Sequence, residues 1–151
     1  MRPSKIQNYM DVASVVASRS HDAETKVGAV IVSNKSGAII ATGYNGFVRG
    51  ADDANLPNTR PDKYEYILHA EQNAITNCSR LGISMEDTML VCTLSPCKLC
   101  MRMLFNCGLT KVVAKDFYKD FNEITEMRDI KVEAKKEEDG FWHITYTVEK
   151  K

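Results

Sequence analysis

The chain has 151 residues, 44% hydrophobic and 26% charged, a balance that can bury a core and still present a polar surface. Lys plus Arg and Asp plus Glu both number 20. The resulting zero net charge argues against a long polynucleotide groove, which needs surplus cations, but not against a pocket for one phosphate group.

No apolar run approaches the roughly 20 residues of a bilayer span. The N-terminus "MRPSKIQNYMD" also lacks the apolar stretch of a signal peptide, so a cytoplasmic protein without a membrane partner is expected. Five Cys is an odd count for a disulfide framework. Cys97 and Cys100 have metal-ligand spacing, whereas Cys78, Cys92 and Cys107 sit in apolar contexts and read as buried free thiols.

Ile6, Tyr9, Met10, Ala13, Val16 and Ala17 recur at helical spacing, predicting an amphipathic helix over 5–19. "VGAVIVS" (27–33) and "AIIATGYN" (38–45) are β-rich runs joined by the hairpin signal "NKSG". Residues 46–62 lack periodicity and carry Gly, Asp, Asn and Pro, the mark of a long functional loop. A helix is expected from Ala70 to Leu81, closed by Gly82, and a strand over 87–94.

Pro96 suits the first turn of a further helix over 97–107, which Gly108 closes. A strand over 111–115, a helix over 118–128 and a strand pair from about 130 complete the order. Strands alternating with helices imply a three-layer α/β/α sandwich on a central mixed five-stranded sheet, as one domain over 1–151, parallel where helices intervene and antiparallel at the hairpin.

Cys97 and Cys100, three residues apart in a first helical turn, share one face and the positive end of the helix dipole, which favours thiolate. His69 stands at the mouth of the preceding helix. Two sulfurs and one imidazole nitrogen suit zinc, and three protein ligands leave a fourth position for water, as in a catalytic site. Glu71, two residues beyond His69, can exchange a proton with that water without being a ligand. A lone Cys-x-x-Cys is weak, and a lone His-x-Glu weaker still; both motifs in this order are specific. His21 and His143 have no motif context and read as ordinary structural histidines.

His69-Ala70-Glu71 followed by Pro96-Cys97-Lys98-Leu99-Cys100 matches the signature of zinc nucleobase deaminases. "RSHDAETKVGAVIV", "GYNGFVRG", "HAEQNAI", "TLSPCKLC" and "GLTKVV" together resemble the deoxycytidylate deaminase branch of the cytidine deaminase superfamily, from Arg19 to Tyr118. The resemblance implies hydrolysis of dCMP to dUMP and ammonia, in the supply of thymidylate precursor. It implies zinc on His69, Cys97 and Cys100, one ion per chain, and proton transfer by Glu71. The Ala70 N–H would meet the base carbonyl, Asn45 the sugar and phosphate side, and Tyr118 the phosphate. Ser95 is a further substrate contact; Arg19, and less so Lys26, are phosphate candidates on charge grounds.

The family pattern also implies a hexamer activated by dCTP and inhibited by dTTP, at a site near Gly43, Tyr44, Gly46 and Arg49, with the loop over 46–62, which carries Arg49 and Arg60, as its expected place. Mg2+ would enter only with a triphosphate effector. The rival readings are deamination of another cytosine nucleotide such as dCTP, of a free nucleoside, or of single-stranded nucleic acid, or a non-enzymatic zinc-stabilised binding module.

Overall fold

The computed structural model of the chain describes residues 1–117 and 128–148. Among the described residues, three helices and six strands follow in the order α1 (Lys5–Ala17), β1 (Gly28–Ser33), β2 (Ile39–Tyr44), α2 (Ala70–Leu81), β3 (Thr88–Leu94), α3 (Lys98–Asn106), β4 (Leu109–Asp116), β5 (Ile130–Lys136) and β6 (Trp142–Val148). A short 3-10 turn, Asp62–Glu65, interrupts the connection between β2 and α2. The helix expected over 118–128 lies, but for its last residue, outside the described residues.

One mixed sheet runs in the order β2-β1-β3-β4-β6-β5. It has six strands and not five, because both members of the C-terminal pair join it. β6, the later of the two, docks on β4 through Val112–Ile144, Val113–His143 and Ala114–Trp142, leaving β5 at the edge. Among the described residues, β3 and β4 are the one parallel pair of adjacent strands. β2 and β3, joined through α2, do run the same way, but β1 lies between them and is antiparallel to both. Parallel strands across a helix are therefore present without always being neighbours.

Residue parity builds the layers. Val30, Val32, Val91 and Val113 meet Tyr9, Met10 and Ala13 of α1 on one face. The alternate residues Ala29, Ile31, Leu90, Cys92, Val112 and Ala114 meet α2 and α3 on the other. Strands buried on both faces must be apolar throughout, which is why "GAVIVS" does not alternate. In β5, Ile130 and Val132 are buried while Lys131 and Glu133 are exposed, the alternation of a strand covered on one face.

Local chemistry fixes the helix that carries the site. Gly82, in the left-handed region with φ 69°, terminates α2. Asn73 and Asn77 donate to the β2 carbonyls of Tyr44 (2.6 Å) and Thr42 (2.8 Å), tying α2 to the edge strand. Gly43 permits that approach: a Cβ there would lie 2.4 Å from both the Ala70 carbonyl oxygen and the Ala74 nitrogen. No helix among the described residues is long and apolar enough to cross a membrane.

Candidate active site

His69 and Cys97 occupy equivalent places, each the extended N-cap residue of its helix, with φ and ψ of −71° and 157° and of −70° and 169°. Cys97 thus stands just outside α3, with Pro96 one residue earlier and not within the first turn. Gln72 accepts from the His69 N–H at 2.8 Å and fixes the entry of the chain into α2. Two helix N-termini therefore converge on one point, and their orphan N–H groups make it electropositive.

His69 Nδ1 lies 3.7 Å from Cys97 Sγ and 3.4 Å from Cys100 Sγ. All three donor atoms fall within 4.8 Å of one another. A tetrahedral zinc with ordinary Zn–S and Zn–N lengths places such atoms roughly 3.5 Å apart, so these residues fit that ion in both chemistry and spacing. Among the described residues this is the His/Cys/Asp/Glu group that could hold a metal ion; His21 and His143 are not part of it.

The electrostatics suit a cation. The Cys97 thiol is held down to about 4, chiefly by the hydrogen bond from Cys100, with desolvation opposing and His69 assisting. Cys100, as donor to Cys97, is pushed far above the usual thiol range. The hydrogen bond with Cys97 raises His69. Glu71, in the first turn of α2, is only 3% exposed. Burial pushes its carboxyl up to about 7, against its own backbone N–H and His69. Cys92, wholly buried, is raised well above the thiol range and is inert.

A cleft opens from this cluster, with Asn45, Ala70 and Ser95 on its walls beside His69, Glu71 and Cys97. Asn45 is almost fully engaged. Its Oδ1 accepts from the Val27 N–H (2.8 Å), and its Nδ2 donates to the Thr25 carbonyl (2.8 Å) and Asp22 Oδ2 (3.4 Å). The amide orientation is thereby set, and the capacity it retains toward the cleft is an acceptor lone pair on Oδ1. Ala70, first residue of α2, has a backbone N–H without an intrahelical acceptor.

Arg19 and Lys26 are exposed and do not line this cleft. Thr25 and Val27, on either side of Lys26, do, so the extended chain turns the lysine outward. Tyr118 lies outside the described residues. Gly43, Tyr44, Gly46 and Arg49 come together on a second cleft. There His21 packs at 4.3 Å from Phe47, its Nε2 buried without a hydrogen bond and 3.6 Å from Asp53.

Arg60, expected with Arg49 at the effector site, lines the first cleft, where Asp22, Lys63 and Tyr64 join it without any expectation from sequence. Lys63 is 4% exposed and reaches Asp22 at 2.9 and 3.1 Å. Asp22 falls within "RSHDAETK", which by itself gives it no role, and a lysine in a polar loop gives no signal of burial.

A buried glutamate beside a cluster of two sulfurs and an imidazole, at the foot of a cleft, defines the site of a zinc-type hydrolase. Residues 3–115 match the sequence family described as the cytidine and deoxycytidylate deaminase zinc-binding region. A deoxycytidylate deaminase of Pongo abelii is 35% identical over 127 residues, 80% of this chain and 70% of that protein. A probable deoxycytidylate deaminase of Caenorhabditis elegans is 38% identical over 112 residues, but only 55% of its length is spanned. The solved structure of the dCMP deaminase from cyanophage S-TIM5, in complex with dCMP and dUMP, matches with TM-score 0.70 and 34% identity, over 82% of this chain and 90% of that one. The chain belongs to the cytidine and deoxycytidylate deaminase family.

Proposed function

We propose that the protein is a deoxycytidylate deaminase that hydrolyses dCMP to dUMP and ammonia, a cytoplasmic step toward thymidylate. The observation that carries the reading is Glu71, a buried carboxyl beside the His69, Cys97 and Cys100 donors on a cleft open to solvent. The cyanophage relative bound to dCMP and dUMP supports the choice of substrate.

A zinc ion on His69, Cys97 and Cys100 would supply Lewis-acid activation of water for attack on the amino-bearing carbon of the cytosine ring. The residues around it do the rest. Glu71, with its carboxyl near 7, can give and take a proton at neutral pH. It takes a proton from the attacking water and delivers it to the ring nitrogen next to the attacked carbon, so charge does not accumulate on the ring. It then takes the remaining proton of the added hydroxyl and passes it to the amino group, which leaves as ammonia as the carbonyl forms. Its burial excludes bulk water from that exchange.

The Ala70 N–H orients the base through its carbonyl oxygen, and the free lone pair of Asn45 accepts from a sugar hydroxyl. Ser95, on the cleft lining, is assigned a substrate contact, and Tyr118 is assigned to flank the phosphate. Regulation by dCTP as activator and dTTP as inhibitor, with Mg2+ accompanying the triphosphate, is assigned to the cleft of Gly43, Tyr44, Gly46 and Arg49. A homohexamer is the proposed assembly.

Ammonia release from purified protein offered dCMP, dCTP, deoxycytidine and a cytosine-containing oligonucleotide, each with and without added dCTP or dTTP, tests the reading. Turnover on dCMP far above that on deoxycytidine is expected. Equal turnover on the two would overturn the nucleotide assignment and leave the hydrolytic chemistry standing.

A further inference from the structure

Two cations line the first cleft among the described residues, and they differ in burial. The Lys63 ammonium, on a side chain 5% exposed, contacts Asp22 at 2.9 Å and Glu24 at 3.3 Å. Enclosed by two carboxylates, its charge is consumed internally. The Arg60 side chain is 48% exposed and meets the carboxylate of Glu24 at 3.3 Å, long for a charge-assisted hydrogen bond. Its Nε donates to the Tyr64 hydroxyl at 2.8 Å and its Nη2 to the Thr25 hydroxyl at 3.2 Å. Both hydroxyls belong to cleft residues, so they hold the guanidinium at the cleft wall.

Glu24 does not depend on the guanidinium. Its Oε1 accepts the backbone N–H of Arg60 at 2.6 Å and also faces Lys63 at 3.3 Å. If the Arg60 side chain turned to another anion, Glu24 would keep both partners. A phosphate monoester, with close to two negative charges and three strong acceptor oxygens, outcompetes one carboxylate for a planar guanidinium fork. A nucleoside offers nothing in exchange and leaves the Arg60–Glu24 pair intact.

We propose that Arg60, on the cleft wall, is the residue that selects the 5′-monophosphate, exchanging its contact with Glu24 for the substrate phosphate, with Glu24 as its placeholder when no phosphate is bound. The inference rests on the reading that the substrate is a cytosine nucleotide. It moves the phosphate role from Arg19 and Lys26, which lie outside the cleft lining, to a loop cation on it.

Steady-state kinetics of Arg60→Gln, Arg60→Lys and Glu24→Gln with dCMP and with deoxycytidine decide the matter. In Arg60→Gln the preference for dCMP over deoxycytidine should fall roughly 10- to 100-fold, carried in KM and not in kcat. Arg60→Lys should recover part of it, and Glu24→Gln should lower the KM for dCMP by removing the competing anion. Equal losses on both substrates in Arg60→Gln, or no loss on either, would overturn the selection role. An unchanged or raised KM in Glu24→Gln would overturn the placeholder.

If the wild-type protein releases no ammonia from dCMP, the functional reading fails by itself. Calorimetric binding of dUMP and deoxyuridine to the same variants then decides the clamp: an Arg60-dependent preference for the phosphorylated ligand sustains it, and equal binding refutes it.

Discussion

Lys63 and Asp22, 41 residues apart in sequence, form an ion pair at 2.9 Å with side chains 5% and 1% exposed. The pair joins the loop before α2 to the segment before β1, and through Asp22 it touches the Asn45 amide. Such a pair adds little over an apolar contact, but removing one partner strands the other charge in the interior. Lys63→Met should therefore destabilise the protein by about 3–5 kcal/mol, read as a fall in the urea midpoint. A loss under about 1 kcal/mol would mean that Asp22 is adequately compensated by its backbone donors alone.

The same pair predicts a pH dependence. Burial alone would push the Asp22 carboxyl up, but the N–H groups of Thr25 and Glu24, with Lys63, outweigh it and hold the group below the usual carboxylate range. A folded-state value below the unfolded one, which is about 3.9, contributes stability that is fully present above that value. The contribution is lost as pH falls through the folded value. The gap in stability between wild type and Lys63→Met should be widest near neutral pH and shrink below roughly pH 4. A gap that stays constant on acidification would exclude Asp22 as the group responsible.

How far these features could be read in advance depends on how local their causes are. α2 has the bounds expected because Gly82 stops it and Gln72 closes its start within a few residues of sequence. The triad is legible for the same reason: each of its motifs sits at one helix entrance. Strand order is not local. That β6 and not β5 pairs with β4 is decided by the packing of Ile144, Trp142 and Phe141 on the two core faces, information spread over the whole chain. The burial of Lys63 is likewise tertiary, since "DKYE" taken alone reads as a solvated turn. Pro96 stands two positions ahead of Lys98, the first helical residue, because helix-start statistics do not separate that residue from the one ahead of the cap.

Gly43 gives a test of how α2 is held. An Ala at this position would drive its Cβ to 2.4 Å from backbone atoms of Ala70 and Ala74, and backbone cannot yield as a side chain can. Gly43→Ala should cost about 1–3 kcal/mol by overpacking and should also lower kcat, since the turn displaced carries Ala70 and Glu71. Gly46→Ala is the control, with its nearest contact at an ordinary 3.5 Å and no positive φ. Equal stability of the two variants would show that α2 can shift outward freely.

Glu71 and Cys97 should separate proton transfer from metal binding. Glu71→Gln preserves shape and burial but removes the proton-accepting group, so turnover on dCMP should fall by about 10²–10⁴-fold. Zinc content by metal analysis should stay at one ion per chain, because Glu71 is not among the three donors. Cys97→Ser, which removes the thiol most disposed to ionise, should instead lose the zinc, and a chelator should reproduce that loss in the wild type. A glutamine variant with near-normal turnover would refute the proton-transfer role. A serine variant that kept full zinc occupancy would require a donor beyond the His69, Cys97 and Cys100 cluster.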